Sequence, residues 1–203
     1  SRGGRARIVK QRSPLYAFMA KEMRLLISTP IYFLNSCMGY ALALAICALA
    51  AIATVMGSSP VSMLPAEFSP VIALFIPWLL ALIVGMTSPT SASVSLEGKA
   101  RWLMFTAPAS TRVTLGAKLV LTLVLIVPTS LICATLLAFA FGFGIAEALI
   151  IALCSLSAGG LSATLGLALD AHRPNFSWTS PYEPVKRGLP VMVSILLSMI
   201  FVI

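Results

Sequence analysis

"PIYFLNSCMGYALALAICALAAIATVM", Pro30 to Met56, decides the class of fold. It contains no Asp, Glu, Lys, Arg or His and is rich in Leu, Ala and Ile. A helix crossing the roughly 30 Å hydrocarbon core of a bilayer needs about 20 apolar residues, and this run supplies them. Polar-apolar alternation of period two, the mark of a barrel strand, is not the pattern here, so the run predicts a transmembrane helix.

The same pattern recurs along the chain. Residues 25–66, 68–96, 119–146, 148–169 and 188–203 are free of Asp, Glu, Lys and Arg. They predict an all-α, polytopic bundle with spans near Pro30 to Met56, Pro70 to Ser88, Ala117 to Phe143 and Ile145 to Leu169, and a fifth opening at Leu189. The fifth stops at Ile203, short of a full crossing, and the chain opens on Ser1 rather than Met, so the sequence reads as a fragment of a longer protein. Composition agrees with a membrane protein. Hydrophobic residues make up 59%, charged residues 10% and the mean hydropathy is +1.01, where a soluble domain carries about a quarter charged residues.

The basic residues set the expected orientation, since they mark cytoplasmic segments close to spans. All 14 Lys and Arg fall into the N-terminal segment, the second-to-third connection (residues 89–116 and the adjoining Lys118) and the fourth-to-fifth connection (residues 170–188). The remaining two connections hold only Glu67 and Glu147. The N-terminus therefore faces the cytoplasm, and the net charge of +8 follows from topology and anionic lipid rather than from nucleic-acid binding.

Residues 1–13 read as a basic cytoplasmic arm or linker, with no apolar core or cleavage site of a signal peptide. Ser13 and Pro14 then open an amphipathic interfacial helix over residues 14–29, which Thr29 and Pro30 end before the transmembrane region 30–203. The four cysteines lie within spans without C-x-x-C spacing and read as small packing residues. Pro77 and Pro128 are kink sites inside spans two and three. In span four, Ser155, Gly159 and Ala163, and again Ser162 and Gly166, stand four apart, a spacing that lets helix backbones approach closely. A serine hydrolase built on Ser162 is a distant alternative, because the sole histidine, His172, sits in an expected loop. No ionisable group is expected deep in a span, which argues against a proton relay or an ion-coupled carrier. Asn35 is the main polar exception, explained by a helix-helix hydrogen bond. No G-x-x-x-x-G-K-[ST] loop is present, so the chain does not bind ATP by that route.

Two inner connections hold the remaining information. Residues 89–116 are far longer than two antiparallel spans need, and "SASVSLEGKARWLMF" places serine caps ahead of Glu97 and then Trp102, Leu103 and Phe105 among basic residues. That pattern suits a short amphipathic helix lying on the membrane or on a partner. In the second connection, Asp170 and Arg173 are candidates to pair with each other or to cap span four, and Trp178, Tyr182 and Lys186 suit the headgroup zone.

"SLEGKARWLMFTAPASTRVTLGAK" resembles the inner-loop pattern of ABC exporter permeases of the type 2 class, and "DAHRPNFSWTSPYEPVKRG" is similar to the Asp, Arg-Pro, Trp-Thr, Pro-x-Glu, Val-Lys segment of a bacterial branch of such permeases. The chain departs from that branch at Asn175, Phe176 and Pro184. The resemblance implies an exporter permease of the bacterial inner membrane, one of two halves. It implies partner ATPase subunits that bind ATP and Mg, no cofactor and no catalysis in this chain, and contact with membrane lipids but not nucleic acid. It also implies that residues 89–116 form the coupling helix. Glu97 would pair with the ATPase, Gly98 would allow a tight approach or a helix start, Lys99 and Arg101 would meet acidic surface or lipid phosphate, and Trp102 would anchor. Asp170, Arg173, Pro174, Trp178, Glu183 and Lys186 mark the second cytoplasmic loop, a further contact with the ATPase or with the other permease half. A non-transporting membrane scaffold that recruits a cytoplasmic partner is the alternative from another class. No residue is singled out for cargo. Spans of Leu, Ala, Met and Phe suit a hydrophobic or amphipathic one, but lipid-facing surfaces share that composition.

Overall fold

The computed structural model describes residues 13–58, 60, 66–102, 106 and 110–202. The basic arm lies outside them, apart from Ser13, as do Leu103 and Phe105 and the side chains of Lys99 and Arg101.

The described residues fold as an all-α bundle. Helix α1, Pro14–Ser28, opens as the sequence predicts: the Ser13 hydroxyl accepts from the Tyr16 amide at 3.4 Å, and Pro14 occupies the first turn, where its missing N–H costs nothing. Thr29 leaves helical space (φ −110°, ψ 95°) and Pro30 begins α2, Pro30–Val55, so the expected break falls where Pro places it. Helix α3, Ser69–Met86, carries Pro77 inside it, and α4, Thr111–Phe141, carries Pro128. Gly142, at φ 68°, ends α4 in the left-handed conformation that glycine adopts freely. Helix α5, Ile145–His172, then a short α6, Tyr182–Lys186, and α7, Leu189–Val202, complete the order.

Among the described residues, four segments are long and apolar enough to cross a membrane: α2, α4, α5 and Leu74–Gly98, which runs through α3 and the 3-10 turns beyond it. Their outward faces are oily. Leu34, Met38, Leu42 and Leu49 on α2 and Leu149, Ile150 and Leu153 on α5 are exposed, a surface that suits lipid and not water. The fold is that of a multi-pass helical membrane protein.

Helix α5 is central, packed most extensively on α3 and then on α4; α2 and α1 lie against α4, and α7 against α3 and α5. Hydrophobic burial gives no net drive between helices in lipid, so close packing must hold the bundle. The small-residue stripe of α5 supplies it: Ser155, Gly159, Ser162, Ala163 and Gly166 are all buried. A Cβ on Gly159 would come 2.8 Å from Val84 and 3.1 Å from Ile126, so α3 and α4 both press on that glycine. The main core adds Tyr40, Cys47, Leu80, Cys133 and Leu137, and all four cysteines are free. Asn35 donates to the Val185 carbonyl at 3.4 Å, tying α2 to α6.

Two expectations are corrected. Span three opens at Thr111, not near Ala117, because Ser110 is extended and the chain turns helical immediately after it. Arg112 is thereby drawn into the helix. The connection after α3 does not lie on the surface in its first part: Pro89–Ala92 and Ser95–Arg101 are 3-10 turns, and every residue from Pro89 to Gly98 is buried.

Candidate functional site

The basic end of the bundle contains a polar junction built around Ser88–Gly98. Eight of its residues are Ser, Thr, Pro, Ala or Val, small enough to enter between helices, and its hydroxyls satisfy the backbone that a buried loop exposes. The Thr90 hydroxyl donates to the Ala163 carbonyl on α5 at 2.8 Å, and the Ser91 and Ser194 hydroxyls bond each other at 3.0 Å, joining the junction to α7. Tyr32 on α2 donates to the Pro89 carbonyl at 2.9 Å. Two close approaches admit these contacts. A Cβ on Gly166 would lie 2.2 Å from the Ser91 hydroxyl, and one on Gly39 would lie 1.9 Å from that of Thr87.

Ser95 is the hub that joins the two connections. Asp170, at the basic end of α5, accepts from the Val94 amide at 2.7 Å, the Ser95 amide at 3.1 Å and the Ser95 hydroxyl. Its carboxylate thus caps the Ser95–Arg101 turn from another helix. Among the described ion pairs Asp170 does not meet Arg173, and it caps this turn rather than its own helix, which corrects both expected roles. The Ser95 hydroxyl accepts from the Asn175 amide at 2.9 Å, and its carbonyl accepts from the Trp178 indole at 2.7 Å. Gly98 has φ 46° and ψ −120°, and a Cβ there would sit 2.6 Å from Cζ2 of Trp178. It therefore serves the tight approach; the two 3-10 segments meet across it rather than a helix starting there.

Beside this hub lies a buried ionic cluster that no local sequence pattern announced. The Lys118 ammonium, on α4, donates to Glu22 at 2.8 Å, to Glu97 at 2.9 Å and to the Ser93 carbonyl at 2.9 Å, using its three protons. Lys21 donates to both carboxylate oxygens of Glu97 and lies 3.5 Å from Glu22. The side chains of Lys118, Glu22 and Glu97 are at most 3% exposed. Two lysines and two glutamates balance in charge, the condition under which ions tolerate burial. Burial pushes the Glu22 carboxyl up, opposed by Lys118. Glu97, expected to reach an ATPase, is already engaged within the chain, so its carboxylate is not a free docking group. Lys118 and Asp170 are buried near the basic ends of α4 and α5, each paired or fully hydrogen-bonded.

Beyond the cluster the connection emerges. Trp102 is 61% exposed. In the second connection Arg173 and Lys186 are exposed, Pro174 and Trp178 are half-buried, and Glu183 accepts from the Thr179 hydroxyl at 2.8 Å. The Ser162 hydroxyl is buried without a hydrogen-bond partner, so no base touches it. The site and fold define a multi-pass membrane protein with an internally paired polar junction at one end of its bundle. No family model, curated protein or solved structure matches the chain.

Proposed function

We propose that this chain is one transmembrane half of an ATP-driven exporter of the ABC type 2 class, set in a bacterial inner membrane with its basic end in the cytoplasm. ATP and Mg belong to partner ATPase subunits, and the chain itself catalyses nothing. One observation carries the reading: the connection after α3 has a buried part tied to α1, α2, α4, α5 and α7, and just beyond it an exposed tryptophan. A push on the exposed part would be delivered to several helices at once, because their polar links run through Ser88–Gly98.

The reading refines the roles of the residues. Trp102 is the docking anchor, the kind of large amphipathic side chain that dominates interface energetics. Glu97 and Asp170 are positioning residues that hold the connection against the bundle, and Gly98 is the point where the buried part turns out towards Trp102.

The test is affinity purification from native membranes followed by ATP turnover in liposomes. An ABC ATPase is expected to co-purify, and Trp102→Ala is expected to lower its recovery about tenfold, the usual scale of a lost anchor. Recovery of the intact chain without any ATPase, or recovery indifferent to Trp102→Ala, would sink the proposal and favour a membrane scaffold.

A further inference from the structure

A second polar feature borders Ser95 and Asp170. A cavity of about 400 Å³ opens between the end of α5, the connection after it and the start of α7, lined by Ser95, Asp170, Arg173, Asn175, Glu183 and Arg187. Its size suits a small polar group. Its charges are unevenly committed. Asp170 is saturated by three donors from the junction. Arg173 and Arg187 are exposed and, among the described residues, neither has a carboxylate within ion-pair distance; Arg187 lies over the Tyr182 ring, 5.8 Å from its centre. Glu183 accepts one hydrogen bond, from Thr179, and has no described cation partner.

We propose that this cavity binds the headgroup of a phospholipid that carries both a phosphate and a primary ammonium, as phosphatidylethanolamine does. Two guanidiniums offer planar forks for phosphate oxygens, the pairing in which Arg excels. The free oxygen of Glu183 accepts from the ammonium. A ligand with phosphate alone leaves Glu183 facing an anion, and a quaternary ammonium has no proton to donate, so both bind less well. The cavity is bordered by the end of α5 and the start of α7, where the apolar sequence gives way to charged residues, and headgroups lie at such boundaries. Ser95 and Asp170 line both the cavity and the junction, so a bound headgroup would brace the contact between the two connections. The inference needs only a membrane-embedded chain and is independent of ATP-driven transport.

The test uses the full chain in nanodiscs of equal phosphatidylethanolamine, phosphatidylcholine and phosphatidylglycerol, with bound lipid counted by native mass spectrometry. Phosphatidylethanolamine is expected to be retained above its bulk share. Arg173→Gln with Arg187→Gln is expected to reduce its retention about tenfold. Glu183→Gln, which leaves both arginines in place and keeps the test decisive if the double variant does not fold, is expected to abolish the preference among the three lipids. Unchanged retention in the double variant, or an unchanged preference in Glu183→Gln, would overturn the proposal. Inorganic phosphate and glycerophosphoethanolamine serve as soluble competitors. Failure of both to displace the lipid supports a membrane source, and displacement by inorganic phosphate alone would overturn the assignment to a lipid.

Discussion

Lys118 is buried against three acceptors, and its removal leaves two buried carboxylates with only Lys21 between them. Breaking a buried pair by deleting one partner costs about 3–5 kcal/mol. Lys118→Met should therefore lower the thermal midpoint in detergent sharply, as read by size-exclusion chromatography after heating; a midpoint near that of the wild type would show that the cluster is not closed. The two glutamates should differ. Glu97 holds both lysines, whereas Glu22 is held chiefly by Lys118 and has its carboxyl pushed up by burial. Glu22→Gln should accordingly be milder than Glu97→Gln. The sign of the pH effect follows from the raised value. The Glu22 contribution to stability is complete below the ordinary carboxylate range and is lost as pH rises through the raised value. The advantage of the wild type over Glu22→Gln should thus shrink from acidic to neutral pH in parallel melts, and growth of that advantage would contradict the burial argument.

At the scale of elements, the two connections at the basic end are one unit, because Asp170, Ser95, Gly98 and Trp178 lock them together. Gly98→Ala meets both a strained backbone and the Trp178 ring, and should cost about 1–3 kcal/mol. The expected readout is faster tryptic cleavage after Lys99 or Arg101 in the folded, detergent-solubilised chain; cleavage at the wild-type rate would separate the connections. Much at this scale was legible in the sequence. Ser13 with Pro14 opened α1, Thr29 with Pro30 closed it, and the small-residue spacing of α5 marked its packing face. These are local signals, carried by adjacent residues or by one helical period. The ionic cluster was not legible, because Glu22, Glu97 and Lys118 come from three separate elements and each looks like an ordinary surface charge among its own neighbours. One signal was available. The run "SPTSASVS", Ser88 to Ser95, is uncharged and small throughout, a composition that suits a segment packed among helices better than one facing water. Asp170 misled for a related reason: its partners lie about 75 residues away, while Arg173 lies within one turn.

For the whole molecule, the apolar belt and the position of the basic residues were plain from composition and charge, and the described residues include four segments of spanning length. What composition could not convey is how the basic end is held together. The basic end is bound together by ions and hydroxyls through Ser88–Gly98, and its connection leaves the bundle at an exposed Trp102. The proposed coupling to an ATPase depends on that arrangement: the buried part must move as one body with the helices while the exposed part meets the partner. The most direct measurement is site-specific photo-crosslinking in cells, with p-benzoylphenylalanine placed at Trp102 and, as a buried control, at Leu96. The account predicts a covalent adduct between position 102 and an ABC ATPase subunit, with none from position 96. Adducts from position 102 to lipid alone, in cells where the chain is inserted and folded, would contradict it.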